Sequence, residues 1–337
     1  MRDIDVTEAS RQSIAAGSKS FAAAARLFDP VTRDSARMFY NWCRYCDDVI
    51  DGQASGHGSH HYDGTAAERL VGLETQTRSA LAGDPQPEPA FAALQRVVQR
   101  HRLPRHLPMD ILAGFRMDVE EQRYASVEDL LSYCYGVAGA VGVSMAIIMG
   151  VDGNDTDTLD RACDLGLGFQ LTNIARDVMD DARTGRVYLP GALFTGGEVA
   201  ATQILDPYNR PEVLNAAHAV LELAERYYAS ARIGIARLPW RSAWAVSTAR
   251  GVYREIGKRV RSSSDPWVER QFVPTHRKLW HVAVASLAPV TYRSLADRPR
   301  HGLWTRASWS AGPSRQLAQA EAVALAGDGG GVRELSR

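Results

Sequence analysis

Two segments of this chain place carboxylates four residues apart in otherwise apolar surroundings. The first reads Tyr40-Asn41-Trp42-Cys43-Arg44-Tyr45-Cys46-Asp47-Asp48-Val49-Ile50-Asp51, and the second Gln170-Leu171-Thr172-Asn173-Ile174-Ala175-Arg176-Asp177-Val178-Met179-Asp180-Asp181. With the α-helical period, Tyr40, Arg44, Asp47 and Asp51 fall on one stripe, and Gln170, Asn173, Asp177 and Asp181 on another. Like charges one turn apart weaken an isolated helix by a few tenths of a kcal/mol, so each stripe wants a cationic partner. Phe39, Trp42 and Ile50 flank the first stripe, and Phe169, Leu171, Ile174 and Val178 the second. Carboxylates among such neighbours are costly unless paired or metal-bound, and an all-oxygen donor set suits a hard cation, Mg²⁺ or Mn²⁺.

Mg²⁺ commonly completes its shell with water and phosphate oxygens, which points to a phosphorylated ligand. Cationic side chains stand close by in sequence: Lys19 in Gly17-Ser18-Lys19-Ser20-Phe21, Arg44 on the first stripe, Arg176 beside the second and Arg186 beyond it. They could grip a diphosphate while metal neutralises the rest. A single D-x-x-x-D reads better as a solvated helix face. Two of them, each extended toward the N-terminus by polar residues at helical spacing, favour metal-diphosphate chemistry.

The elements that must hold these residues are helices. Helical periodicity dominates, and runs of β-branched residues with period two are nearly absent, so the fold class is all-α. Helices are expected over roughly 7–28, 31–51, 65–82, 88–101, 108–121, 126–150, 155–182, 210–236, 240–262 and 275–297. Turn chemistry separates them at Asp29-Pro30, at Gly52 to Gly64, at Gly83-Asp84-Pro85 and between Pro104 and Pro108. No segment reads as a domain linker, so residues 1–300 are expected to form one domain and 301–337 a flexible tail.

Composition narrows the classes. Lys plus Arg equals Asp plus Glu at 39 each, which removes bulk charge as a reason to expect a nucleic-acid partner. The start lacks a basic n-region and a continuous apolar h-region, so secretion is not expected and the cytoplasm is the expected location. Gly136–Val151 is apolar but short, with four glycines in 16 residues, and reads as a core helix rather than a membrane span. The C-x-x-C of Cys43 and Cys46 has no second copy and lies inside a helical pattern, so both read as packing residues. His57, His60, His61 and Asp63 lie between glycines and read as a solvated loop rather than a metal site.

The chain resembles the squalene and phytoene synthases. The likeness rests on Ser18-Lys19-Ser20-Phe21, Asp47 to Asp51, Tyr133-Cys134-Tyr135-Gly136-Val137-Ala138-Gly139, and Gln170 through Asp181 to Gly185-Arg186-Val187-Tyr188-Leu189-Pro190. These come in the family's order and cover roughly residues 15 to 285. The resemblance implies an isoprenoid synthase-type helical bundle with a central active-site cavity. It also implies a prenyltransferase that joins two geranylgeranyl diphosphates head to head, through a cyclopropyl diphosphate, to phytoene in carotenoid biosynthesis. Gly17 departs from relatives that carry a histidine before Ser-Lys-Ser.

By matched residue, the resemblance gives Asp47, Asp51, Asn173, Asp177 and Asp181 to Mg²⁺ or Mn²⁺, with Tyr40 and Arg44 joining the aspartates in catalysis. It gives Ser18, Lys19, Ser20, Tyr40, Arg44, Gln170, Asn173, Arg176, Tyr253 and Arg270 to the substrate diphosphates. No NADPH is expected if the product is phytoene. Phe21, Tyr40, Tyr133 and Tyr135 are candidates for stabilising a carbocation by their ring faces. Gly136, Gly139 and Gly142 leave either a groove for an isoprenoid tail or a surface for close helix packing. Asp47-Asp48-Val49-Ile50-Asp51 also reads as D-D-x-x-D, which leaves a head-to-tail synthase or a terpene cyclase open. Squalene or dehydrosqualene formation from farnesyl diphosphate is open as well, as is a noncatalytic assembly protein of the same fold. Greasy substrates suggest peripheral contact with the inner membrane surface and contact with other carotenoid-pathway enzymes; Lys258, Arg259, Arg261, Arg270, Arg277 and Lys278 could assist the first, with a solvated basic face as their default reading.

Overall fold

The computed structural model describes residues 25–52, 62–292 and 299–310, and every regular element among them is helical. The main helices are α1 (Pro30–Asp51), α2 (Ala66–Ala82), α3 (Pro89–His101), α4 (His106–Val119), α5 (Val127–Cys134), α6 (Ala140–Ile148), α7 (Thr156–Arg183), α8 (Ala201–Leu205), α9 (Arg210–Ile235), α10 (Trp240–Ser262), α11 (Thr275–Ala285) and α12 (Ala288–Thr291). A five-residue π turn, Tyr135–Gly139, joins α5 to α6. These elements belong to the unit ending at Leu303; beyond it lies a short helix, Arg306–Ser310. The expected 7–28 helix lies mostly outside the described residues, as do Ser18, Lys19, Ser20, Phe21, His57, His60, His61 and residues 311–337.

Local sequence sets the ends of the two helices that carry the acidic stripes. Asp29 caps α1, its carboxylate accepting from the Val31 and Thr32 amides at 3.0 Å, with Pro30 at the first helical position. Gly52 closes the helix in the left-handed region, φ 65°, and its amide donates to the Asp48 carbonyl. Asp155 caps α7 by accepting from the Thr158 amide at 3.1 Å, and the helix then runs 28 residues.

α7 is the central rod. It packs against α9 along most of its length, and α6, the π turn, α8 and α10 lie against its remaining faces. On the α1 side the core is built from fully buried Phe39, Trp42, Phe91, Leu94, Ile111 and Leu112. Cys43, Cys46, Cys134 and Cys163 are all free thiols, three of them buried.

Two expectations need correction. The continuous 126–150 helix is interrupted by the π turn, and the 275–297 helix stops at Ala285, resuming for one turn at Ala288–Thr291 next to Pro289. Together Val127–Ile148 are long and apolar enough to cross a bilayer by composition, yet 67% of the most apolar stretch is buried inside the protein.

The glycine question resolves toward packing. A methyl group on Gly136 would meet the Gly114 Cα at 2.6 Å, and one on Gly139 would meet the Leu167 side chain at 2.7 Å. One on Gly142 would overlap the Ala162 carbonyl oxygen, and one on Gly166 the Ala138 carbonyl. The glycines let the 135–148 segment lie directly on α4 and α7, and the same segment lines the internal cavity through Val137, Ala138, Val141, Gly142 and Met145. Gly142→Ala is therefore expected to destabilise by about 1–3 kcal/mol, despite the ~1 kcal/mol that alanine normally adds to a helix. Equilibrium denaturation would read this as a lower midpoint; a raised midpoint would contradict the packing.

Candidate active site

On α1, Arg44 reaches along its own helix to the acidic cluster. Its guanidinium donates to Asp47 Oδ2 at 2.7 Å and lies 3.0 Å from Asp48 Oδ1. On α7, Arg176 donates to both oxygens of the adjacent Asp177. Arg270 approaches the same carboxylate from the loop after α10, with Nε and Nη2 each 3.0 Å from one oxygen. That loop is fixed by Trp267, whose indole donates to the Ala175 carbonyl at 3.0 Å and whose ring faces Arg210.

The two stripes are joined through the segment after α7. Gly185 turns the chain at φ 84°, the Arg186 amide donates to the Asp181 carbonyl at 2.9 Å, and the Arg186 side chain crosses to Asp51 Oδ1 at 3.0 Å. One arginine thus connects the ends of both acidic ladders. Asp118 of α4 sits with them, accepting from Tyr188 at 2.8 Å and Tyr133 at 3.1 Å, within a cluster of Tyr124, Tyr133 and Tyr188 rings 5.0–6.2 Å apart.

The carboxylates differ sharply in how well they are compensated. Burial raises Asp181 to about 7, with Asp177 adding to the rise and Arg186 only partly opposing it. Burial likewise raises Asp47 to about 6 against the pull of Arg44, and Asp118 to about 6 despite its two tyrosines. Asp177 goes the other way: burial pushes it up, but Arg176 and Arg270 together hold it below the ordinary 3.8. Asp47 keeps 38% of its side-chain surface open, so Asp181 is the clearer case of a desolvated charge.

A divalent cation is the group this arrangement implies, and the residues fit it. Asn173 Oδ1 is buried with no hydrogen-bond partner among the described residues, and Asp47 and Asp181 are carboxylates whose burial is not offset. The donors are all oxygens, as a hard cation requires. Among the described residues no three acidic, imidazole or thiol side chains converge as a closed chelate, so phosphate oxygens and water would have to supply much of any shell.

A small hollow of about 310 Å³ lies between α9 and α10, and a larger cavity of about 530 Å³ is walled by α1, α6, α7, α9 and α10. The larger is of the size that encloses small organic molecules. Tyr40, Gln170, Asn173 and Tyr253, all singled out by sequence, lie on its wall. Asn173 is one turn, ~6 Å of helix, before Asp177, so the cavity wall leads directly toward the carboxylates. Most of the remaining lining is aliphatic, with the Phe169 ring tilted against that of Tyr253, centroids 4.3 Å apart.

Two aromatic expectations change. Tyr135 is buried with its hydroxyl on Asp110 at 2.8 Å, and Tyr133 serves the Asp118 cluster; neither lines the cavity. The rings on the cavity wall are Phe28, Tyr40, Phe169 and Tyr253. Sequence reasoning does not single out Asp118 or Tyr188 as site residues. Their signal is faint: Asp110, Gly114 and Asp118 form a polar or small stripe at i, i+4 and i+8 on an apolar helix, but Asp118 hides beside Glu120 and Glu121.

Comparison with known proteins decides the family. The squalene/phytoene synthase family matches residues 14–281. The chain belongs to the squalene/phytoene synthase family. A 15-cis-phytoene synthase of Pantoea ananas is 48% identical over 298 residues, covering 88% of this chain and 96% of that one. A 15-cis-phytoene synthase of Paracoccus sp. (strain N81106 / MBIC 01143) is 46% identical over 311 residues, covering 90% and 98%. Among solved structures, a dehydrosqualene synthase in complex with ligand superposes with a TM-score of 0.70 at 26% identity, covering 83% of this chain and 95% of that one. A squalene synthase from Alicyclobacillus acidocaldarius gives 0.65 at 22% identity, covering 76% and 93%, and shares the fold. As a member of this family, the chain has the all-α isoprenoid synthase-type architecture expected from its sequence.

The electrostatics carry a prediction. A carboxyl whose folded value is raised binds its proton more tightly when folded, so it favours the folded state at low pH and loses that contribution as pH rises through the folded value. For Asp181 the window runs from the ordinary 3.8 to about 7. In metal-free protein, Asp181→Asn should raise the melting temperature relative to the parent at pH ~8, and the advantage should vanish by pH ~4. Paired thermal melts across pH test this, and a variant that is less stable at the alkaline end would refute it.

Proposed function

We propose that this enzyme condenses two geranylgeranyl diphosphates head to head to phytoene, through a cyclopropyl diphosphate, with loss of both diphosphates and two protons. The observation that carries this reading is the linking of two acidic ladders by Arg186 beside an apolar cavity. Its relatives named as phytoene synthases, at 45–49% identity over most of the chain, support the same product. No reduction occurs in this conversion, so it calls for no NADPH.

The proposed division of labour follows from position. Asp47 and Asp51 on α1, and Asp177, Asp181 and Asn173 on α7, are the residues that would hold Mg²⁺ or Mn²⁺. When bound, the cation supplies Lewis-acid neutralisation of the departing diphosphate. Arg44, Arg176, Arg186 and Arg270 are already ion-paired with these aspartates, and they are placed to transfer part of that pairing to an incoming anion. Ser18, Lys19 and Ser20 are assigned to the same anion by family likeness alone. Tyr40, Gln170 and Asn173 mark the boundary between the charged end and the apolar tail region. The aliphatic wall excludes the water that would quench an allylic cation, and Tyr40, Phe169 and Tyr253 offer ring faces worth ~0.5–2 kcal/mol each to positive charge.

Incubation with geranylgeranyl diphosphate and Mg²⁺ should release a neutral forty-carbon hydrocarbon, identified by mass spectrometry. A longer diphosphate or a cyclised twenty-carbon product would sink the reading, and exclusive use of farnesyl diphosphate would move the assignment to a dehydrosqualene or squalene synthase. Asp47→Asn and Asp177→Asn should each lower turnover by at least ~100-fold, equivalent to ~2.7 kcal/mol of barrier, with the helical circular dichroism unchanged. Normal turnover in either variant would remove the metal assignment.

A further inference from the structure

α11 is apolar on both sides. Its inner stripe, Lys278, Val282 and Ala285, faces the protein, and Lys278 and Val282 form part of the cavity wall. Its outer stripe, Leu279, Trp280, Ala283 and Val284, continues through Leu287 to Val290 of α12 at helical spacing. The large members are open to solvent: Leu279 by 63%, Trp280 by 59%, Leu287 by 62% and Val290 by 69%. Trp244 donates to the Val282 carbonyl at 2.7 Å and stands 5.2 Å from the ring of Trp240, which is half-exposed and extends the same region. Soluble monomers rarely expose contiguous apolar patches above roughly a few hundred Å².

The charge around this face selects the occupant. From Thr275 to Tyr292 there is no carboxylate, whereas His276, Arg277, Lys278 and His281 are all basic. The carboxylate packed against this segment, Glu255 of α10, is shared by Arg277, Arg259 and His281, so the neighbourhood keeps an excess of positive charge. Outward aliphatic residues with tryptophan at the margin and a basic, acid-free flank are the features of a helix lying in a bilayer interface. We propose that α11 and α12 dock on a lipid bilayer bearing anionic headgroups, setting the wall of the apolar cavity against the membrane. The cargo gives this contact a use, since the isoprenoid tails and the neutral hydrocarbon of the proposed reaction dissolve in lipid and not in water. Only that use rests on the proposed function.

The test uses the full chain without substrate. Flotation with phosphatidylcholine vesicles containing about 30% phosphatidylglycerol should carry the protein upward, and pure phosphatidylcholine vesicles should carry less. A Leu279→Ser, Trp280→Ser, Leu287→Ser variant should lose at least ~10-fold in binding, while Val71→Ser, which alters an exposed valine on α2, should bind as the parent does. The triple variant should keep its helical content and its turnover on detergent-dispersed substrate. If it fails to fold, brominated lipid decides instead: quenching of tryptophan emission should be clearly smaller in Trp280→Phe than in the parent. Absence of binding by the parent, equal binding by the triple variant, or quenching unchanged by Trp280→Phe would overturn the proposal. So would a parent dimer in light scattering that the triple variant dissociates, which would assign the face to a second copy. Because no substrate is present, these results stand apart from any failure of the product assay.

Discussion

Asp177 accepts from two arginines, while Asp181, one turn further along the same helix, lies half-buried with only the partial influence of Arg186 to offset its charge. That imbalance organises the rest of the molecule. Carboxylates do not collect at low dielectric without a reason, because the desolvation cost rises faster than unlike side chains can answer it. Here the cost is met in part by Arg44, Arg176, Arg186 and Arg270, and the unmet part is concentrated on Asp47, Asp118 and Asp181. Holding such a cluster together demands rigid supports, and the long α7, capped at Asp155 and packed along most of its length by α9, is the main one.

The same helix links the charged end to the apolar interior. Gln170 and Asn173 belong to the cavity wall, and Asp177 and Asp181 follow within three turns, so one rigid rod spaces polar recognition from hydrocarbon enclosure. α1 repeats the design, with Tyr40 on the wall and Asp47 and Asp51 beyond it. The arginines gathered there come from α1, α7, the turn after α7 and the loop after α10, so the anion-binding end samples four separate parts of the chain.

What can be read from sequence follows the range of the interactions. The acidic stripes are legible because helix periodicity is local, and the caps at Asp29 and Asp155 mark their starts with short-range chemistry. Their pairing across Arg186 is not, since it depends on contacts between residues 135 positions apart. Asp118 escapes notice because its partners, Tyr133 and Tyr188, meet it only in three dimensions, 15 and 70 residues away. Glycine spacing announces that side-chain volume is withheld between 136 and 142, but only the tertiary structure tells that backbone of α4 and α7 fills the space. The break at 135–139 stays hidden because nothing in an apolar, well-patterned run signals a change of helical winding, whereas Pro289 is a local signal for the one at 286–287.

The π turn at Tyr135–Gly139 has a consequence for how this segment can vary. It accommodates one residue more than an α-helical turn would, which rotates everything downstream by about 100° about the axis relative to an unbroken helix. Upstream of it, Tyr133 serves Asp118; downstream, Val141 and Met145 look onto the cavity. Straightening this stretch to regular winding at unchanged length would put the two halves out of phase, turning aliphatic side chains away from the hollow they enclose, whereas loss of one amino acid together with the bulge would leave them in phase.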